Sequence, residues 1–477
     1  MSNLSDLLPA GAGGKQVDFV ASGTLSSGQT VALKSDGTVE AVSETAISQT
    51  LGTPATFESA NTSATATAYD STNNKVVIAY SDWGNSKYGT AVVGTVSGTA
   101  ITFGTPVVFE SAQSDGVSAT FDSVNSKVVI AYSDAGNSTY GTAIIGTVSG
   151  TTISFGTAVV YNSTSTDSAT IVFDSSNNKV VIAYNSASSS GKAIVGTVSG
   201  TSISFGSATT FNGSATGYPS VTFDSNENKV IIGYQDAGNS YYGTAIVGTV
   251  SGTGISFGSE VVYYAGNHGY NALTFDSNSN KVVIALRPNS PISGVAYVGT
   301  VSGTSISFGS PVTFSGTRAD FIAITYDSNA NKVVISYQDY PNGAKLIAGT
   351  VSGTSITFGT AVTIEGNVTY PTTYISTAFD STSNVVVTSY AYGTTLGRSV
   401  VFQNSSTATN NTSFIGITDA AISSAASGSV TIKGGISSNV TGLTANLTYY
   451  VQSDGTLATT SSSVLAGKAL SSTSINL

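Results

Sequence analysis

The side chains able to do covalent chemistry are scarce in this sequence. It contains no cysteine and one histidine, His268. Thiolate metal sites, disulfides and cysteine nucleophiles are therefore excluded, and a His-dependent triad has almost nothing to draw on. Three arginines, Arg287, Arg318 and Arg398, all lie in the second half of the chain. Guanidinium forks suit carboxylates and phosphates, so an acidic-sugar site is one reading and solvated or paired surface arginines the other. Acids such as Asp320 or Glu365 are candidates for polysaccharide cleavage.

Asp224-Ser-Asn226-Glu-Asn228 and its copies at Asp276 and Asp327 match the first half of a calcium loop. The closing bidentate Glu is missing, and Thr72, Val124 or Ser176 takes the third position in other copies. An Asx turn, in which the carboxylate accepts from the backbone two residues on, accounts for every copy without a metal. No cofactor and no metal site is expected. A trio of arginines is also found in sialidases, but the Asp-box pattern of that family is absent and no Tyr/Glu pair can be assigned.

These residues sit in a unit written seven times. The full unit runs strand, Asp-Ser-x-x-Asn turn, Lys-Val-Val-Ile strand, variable loop, Gly-Thr-Val-Ser-Gly-Thr turn and Ile-Ser-Phe strand, and that last turn appears six times, at Gly94, Gly146, Gly196, Gly248, Gly299 and Gly349. The opening Asp recurs at Asp70, Asp122, Asp174, Asp224, Asp276, Asp327 and Asp380, with gaps of 52, 52, 50, 52, 51 and 53 residues. The pattern has period two or continuous β-branched runs and no helical period. Four strands, A to D, per repeat predict an all-β, seven-bladed β-propeller with four-stranded blades.

An open solenoid or a string of sandwiches is the rival reading. The seventh unit ends at Phe402 without a strand D, while Gly52-Thr-Pro-Ala-Thr-Phe57, ahead of the first unit, has the strand-D pattern. An N-terminal strand completing the last blade would close the ring and remove exposed edges.

Parity of the strands then sorts the loops. A–B and C–D turns, nearly identical between units, fall at one end, and the variable D–A and B–C loops at the other. Variation on a fixed scaffold suits recognition, with drift in unconstrained loops as the alternative. The candidate binding residues on the variable face are Trp83, Tyr88, Tyr140, Tyr241, Arg287 and Tyr340 from B–C loops, and Tyr218, His268, Tyr270 and Arg318 from D–A loops. Tyr370 and Tyr374 lie in the last D–A loop. Aromatic rings with polar tips suit stacking on sugars or packing on a protein. For any single Tyr the plainer reading is packing between blades.

The chain has 477 residues, 9% of them charged, and a net charge of -10. It thus lacks the basic footprint of a nucleic-acid or anionic-membrane binder. No apolar run approaches the ~20 residues of a membrane span, and the first residues lack a secretory signal pattern.

The propeller, residues 47–402, is expected as an insert in a small β domain. Residues 15–46 form its first part, with an Asp36-Gly37 hairpin turn, and residues 413–477 its second, with a matching Asp454-Gly455 turn. Residues 403–412 read as a linker and 1–14 as a flexible tail. The Leu7-Leu-Pro-Ala-Gly-Ala-Gly-Gly-Lys15 start with Val17-Asp-Phe-Val-Ala-Ser-Gly23 carries a resemblance, as do the Tyr449-Tyr-Val, Asp454-Gly455-Thr and Ala466-Gly-Lys-Ala469 segments of the ending. These segments resemble phage virion fibre and decoration proteins, especially of marine phages.

The resemblance covers about 100 residues by the count of these two flanking parts and includes no catalytic residue. It implies a virion-surface appendage, attached to other virion proteins through the tail and small β domain. It also implies a homo-oligomer, with a trimer favoured. The expected function is host attachment through a surface glycan or protein, without enzymatic activity, nucleic-acid binding or membrane insertion. A ligand-free structural decoration and a polysaccharide-active enzyme remain the alternatives.

Overall fold

The computed structural model describes residues 15–187, 189–341, 343–366 and 372–477. The expected tail at 1–14 and Tyr370 lie outside the described residues. The fold is all-β, and among the described residues strands are joined by turns and short 3-10 segments. Residue contacts divide the chain into two units, Gln49–Asn404 and the flanking segments up to Ser48 and from Ser405 to Leu477.

In the first repeat, strand A is Thr62–Asp70, strand B Lys75–Asp82 and strand C Tyr88–Ser97. Strand D starts as Ala100–Phe103 and resumes after a break at Val107. All neighbours are antiparallel, with Thr62 opposite Asp82 and Asp82 opposite Tyr88. The break is set by Gly104, where a β-carbon would lie 1.9 Å from the carbonyl oxygen of Thr151 in the next C–D turn. Gly52 meets the carbonyl of Thr99 in the same way, also at 1.9 Å.

The B strands are apolar on both faces because both faces are covered. Val128, Val129, Ile130, Ala131 and Tyr132 are all fully buried. The cores bridge consecutive repeats: Val77 and Ala79 of one join Val128, Ile130 and Tyr132 of the next. Five of the joints also stack a strand-D aromatic on a strand-B Tyr, as in Phe109–Tyr132 at 5.2 Å and Tyr161–Tyr184 at 5.3 Å between ring centres, while Leu286 and Ile364 each replace one partner in the others.

The last repeat lacks its own D strand. Thr50–Leu51 and Ala55–Glu58 pair with its C strand, Leu396–Gln403, placing Leu51 opposite Phe402 and Ala55 opposite Ser399. Phe57 then stacks on Tyr80 of the first repeat at 5.1 Å, the same joint again. The A strands of the first and last repeats also bond directly, through Thr67 Oγ1 and Ser376 Oγ at 2.7 Å, and Tyr69 Oη donates to Thr382 Oγ1 of the last A–B turn at 2.6 Å.

The D–A connections differ from the expected loops. Val107–Asp122, Val159–Asp174 and Val261–Asp276 each run as one 16-residue strand. The turn is made by register shifts, at Asp115/Ser118 for example. Bulges bend a strand without ending it, which is why the polar composition there misled.

The smaller unit has two five-stranded sheets. One pairs Gln16–Val20, Ser427–Ile432, Phe414–Thr418, Thr30–Leu33 and Val39–Ala41 in that order, so two strands from the C-terminal segment lie between strands from the N-terminal segment. The expected linker at 403–412 is instead structured. Gln403 ends a C strand, and Ser406–Thr409 pairs with Glu44–Ile47. A two-stranded ribbon needs only backbone pairing, so its Ser/Thr-rich sequence carries no apolar signal. The two Asp-Gly turns are built alike. Asp36 Oδ1 accepts from the Thr38 N–H and hydroxyl at 3.0 and 2.6 Å, and Asp454 Oδ1 from those of Thr456 at 2.9 and 2.7 Å.

Candidate functional site

The strand register gives each repeat two different ends. At one, the Asp of the A–B turn spends its lone pairs locally. Asp122 Oδ1 accepts from the N–H groups of Val124 and Asn125, both at 3.0 Å, and Oδ2 accepts from Asn125 Nδ2 at 2.8 Å. The carboxylate is buried and Ser126 closes the turn at φ 54°. This is the Asx turn expected from the sequence. Among the described residues no group of three or more His, Cys, Asp or Glu side chains is placed to hold a metal ion.

The other end collects the B–C loops, the first residues of the A strands and the exposed aromatics. In the first, second and fourth repeats the B–C loop is a 3-10 turn, at Trp83–Asn85, Ala135–Asn137 and Ala237–Asn239. In the first, the Asp82 side chain accepts from the Gly84 N–H at 2.9 Å. Trp83 is half-exposed, held by its Nε1 donating to Ser63 Oγ at 2.8 Å and by Lys87 Nζ 4.2 Å from its ring centre. Tyr218, Tyr241 and Tyr340 are also exposed. Tyr88 and Tyr140 are half-buried, because each opens a C strand and pairs with Asp82 or Asp134.

His268 departs from expectation. Its side chain is fully buried and neither ring nitrogen has a hydrogen-bond partner. It takes the inward place that Thr62, Ser114, Thr166 and Thr216 occupy in other repeats, opposite the last residues of strand B. It rests near Tyr263 and Tyr264, with ring centres 6.3 and 6.2 Å away. Burial pushes its pKa down to about 4. His268 is therefore a neutral packing residue and cannot meet a ligand at the surface.

The arginines are paired. Asp320, itself buried, lies between Arg287 and Arg318, bonded to Arg287 Nη1 through one oxygen and to Arg318 Nε at 2.7 Å through the other. Arg287 is mostly buried and stacks on Tyr270, with Cζ 5.0 Å from the ring centre, while Arg318 stays half-exposed, 5.6 Å from Tyr340. Arg398 Nη1 binds Glu365 at 2.8 Å, and Tyr390 Oη donates to the same oxygen at 2.9 Å. Asp320 and Glu365 are thus committed to ion pairs.

Burial and the nearby Asp134 raise the pKa of Glu110, and burial and the nearby Glu58 raise that of Asp82. Tyr132 Oη donates to Glu110 at 3.0 Å and Tyr80 Oη to Glu58 at 3.2 Å. The arrangement recurs at successive joints between repeats, so it belongs to the joint.

Sequence reading passed over Phe321. It occupies the A-strand bulge between Asp320 and Ala323, the place held by Tyr218, Tyr270 and Tyr374 in their repeats. The four rings follow one another at 5.6, 4.8 and 5.4 Å between centres. Strict alignment of the repeats on their Asp turns is the signal that finds Phe321.

No family model matches the chain, and no curated protein matches it. Solved structures similar to it include Sqt1 from Chaetomium thermophilum, at 9% identity and a TM-score of 0.45, covering 72% of this chain and 83% of that one. They also include the Cps50 (Swd1) β-propeller domain from Myceliophteria thermophila, at 8% identity and a TM-score of 0.47, covering 73% of this chain and 98% of that one.

Proposed function

We propose that residues 49–404 close as a seven-bladed β-propeller, completed by the N-terminal strand, and that this body is the attachment head of a phage virion appendage. The small β unit and the N-terminal tail hold it to other virion proteins, as the fibre and decoration resemblance implies, in a symmetric homo-oligomer with a trimer favoured. The head meets a glycan or protein on the host surface and performs no covalent chemistry. Its place is the virion surface.

One observation carries the reading. Among the described residues of this body, every exposed Tyr and Trp (Trp83, Tyr218, Tyr241, Tyr340 and Tyr374) lies at the end where the loops differ between repeats. At the repeated end, among the described A–B and C–D turns, Val124 is the large apolar side chain that is exposed. Large rings with polar tips cover much contact area at little rotamer cost, which suits a recognition face. Single contacts of this kind are weak, and copy number on a particle multiplies them.

The test is binding of the purified chain, displayed in many copies on beads, to intact bacteria. Saturable binding that the soluble chain competes away supports attachment. Absence of binding by folded, bead-displayed protein supports the purely structural decoration instead.

A further inference from the structure

The bulge at the start of each A strand places one residue at an equivalent position in every repeat. In chain order these are Ala64, Gly116, Ser168, Tyr218, Tyr270, Phe321 and Tyr374. The series is not random. The first three repeats carry small residues and the last four carry rings, and the rings form an unbroken ladder with 4.8 to 5.6 Å between neighbouring centres. The outer two, Tyr218 and Tyr374, are exposed, and the middle two are half-buried.

The backbone at these positions disfavours bulky residues. Tyr218, Tyr270, Phe321 and Tyr374 have φ of 46°, 47°, 47° and 50°. A β-carbon there crowds the following carbonyl oxygen, and Gly116 avoids the penalty at φ 57° in the second repeat. Packing alone does not explain four rings at such places, since Ala64 and Gly116 hold the same left-handed conformation, at φ 50° and 57°, without one. Strained conformations kept by a whole set of residues point to a use for their side chains.

We propose that Tyr218, Tyr270, Phe321 and Tyr374 form a stacking platform for a neutral, extended oligosaccharide. The inference deepens the attachment reading and rests on it. The exposed rings of Tyr218 and Tyr374 take the apolar C–H faces of sugars, and the half-buried Tyr270 and Phe321, each tilted against its neighbours, lie between them. Hydroxyls of the three tyrosines and the half-exposed guanidinium of Arg318 supply polar contacts at the rim. Ala64, Gly116 and Ser168 leave the facing side without rings.

Charge selects neutral sugars. Arg287 and Arg318 share Asp320, which neutralises most of the local positive charge, and the chain carries a net charge of -10. An acidic glycan would be repelled by the whole and only partly attracted by the site. The same balance disfavours a nucleic-acid strand on these rings.

The experiment compares the full chain with Tyr218→Gly/Tyr374→Gly and with Val124→Glu at the opposite end. Each protein is run against immobilised neutral hexose oligosaccharides, uronic-acid oligosaccharides and intact host cells. Glycine fits the backbone at both positions, so the double variant is expected to fold with an unchanged or higher melting temperature. The wild type and Val124→Glu should bind neutral oligosaccharides alike, and the double variant should lose at least about tenfold in affinity, the loss expected for two stacking contacts.

Equal binding by the double variant overturns the platform, as does preference for the uronic-acid series. Cell binding without binding to any saccharide also overturns it and leaves attachment standing. Failure of the wild type to bind either cells or saccharides removes the attachment reading, and the platform falls with it.

Discussion

Thr67 and Ser376 stand 309 residues apart in the chain, and their hydroxyl oxygens are 2.7 Å apart. The contact joins the A strands of the first and last repeats. Because the protein has no native cysteine, Thr67→Cys/Ser376→Cys is a clean probe of closure. Mild oxidation should form one intramolecular disulfide, visible as loss of both free thiols and faster migration on a non-reducing gel. Two thiols that stay reactive under native conditions would mean that the first and last repeats do not meet.

The Phe57–Tyr80 joint makes an energetic prediction. Phe57 is buried between the N-terminal strand and the first and last repeats, among Val76, Ile78, Val387 and Val401. Phe57→Ala should destabilise the body by about 3–5 kcal/mol, as expected for a ring removed from a packed core. A frayed terminal strand would give well under about 1 kcal/mol, near the range of an ordinary surface change. Chemical denaturation followed by intrinsic fluorescence distinguishes the two.

Asp320 holds two cations from a buried position. Asp320→Ala should cost about 3 kcal/mol, because it strands Arg287, which is mostly buried, without its partner. Arg318→Ala should cost far less, since its side chain is half-exposed. Equal effects from both changes, measured by urea midpoint, would show that the pairing is not organised around Asp320.

His268 sets a pH dependence. Its folded pKa, about 4, lies below the ordinary value of 6.5, so between these values the unfolded chain holds the extra proton. Stability therefore rises with pH across that window and falls as pH drops towards 4. At about 1.4 kcal/mol per unit of pKa difference, the loss reaches up to about 3 kcal/mol. His268→Thr restores the residue found at this place in several other repeats, as at Thr216, and should remove that slope. Parallel stability curves for the two proteins from pH 7 to 4 would contradict the burial of a neutral imidazole.

Much of this was written plainly in the sequence, and the reasons are local. The Asp turn is a self-contained device: Asp122 meets its partners within three residues, so its seven copies could be read without any tertiary knowledge. The strand-D pattern ending in Phe57 was legible because it repeats one seen at Phe109. What failed depended on distant neighbours. His268 read as a loop residue because nothing nearby shows that a bulge turns it inward. Ser406–Thr409 read as a linker because a ribbon needs no apolar face. Phe321 was passed over beside the more conspicuous Arg318 and Asp320, although alignment of the repeats places it with Tyr218, Tyr270 and Tyr374.

Under the attachment proposal, the variable end of the repeat body, and not the repeated end, meets the host. Tyr340→Glu puts a charge on the variable end, and Val124→Glu puts the same charge on the repeated end; both side chains are exposed, so neither change should unfold the protein. Binding of bead-displayed protein to intact bacteria is then measured for each. Val124→Glu should bind like the wild type, and Tyr340→Glu should bind clearly more weakly. Weakening by Val124→Glu with Tyr340→Glu unaffected would contradict the proposal.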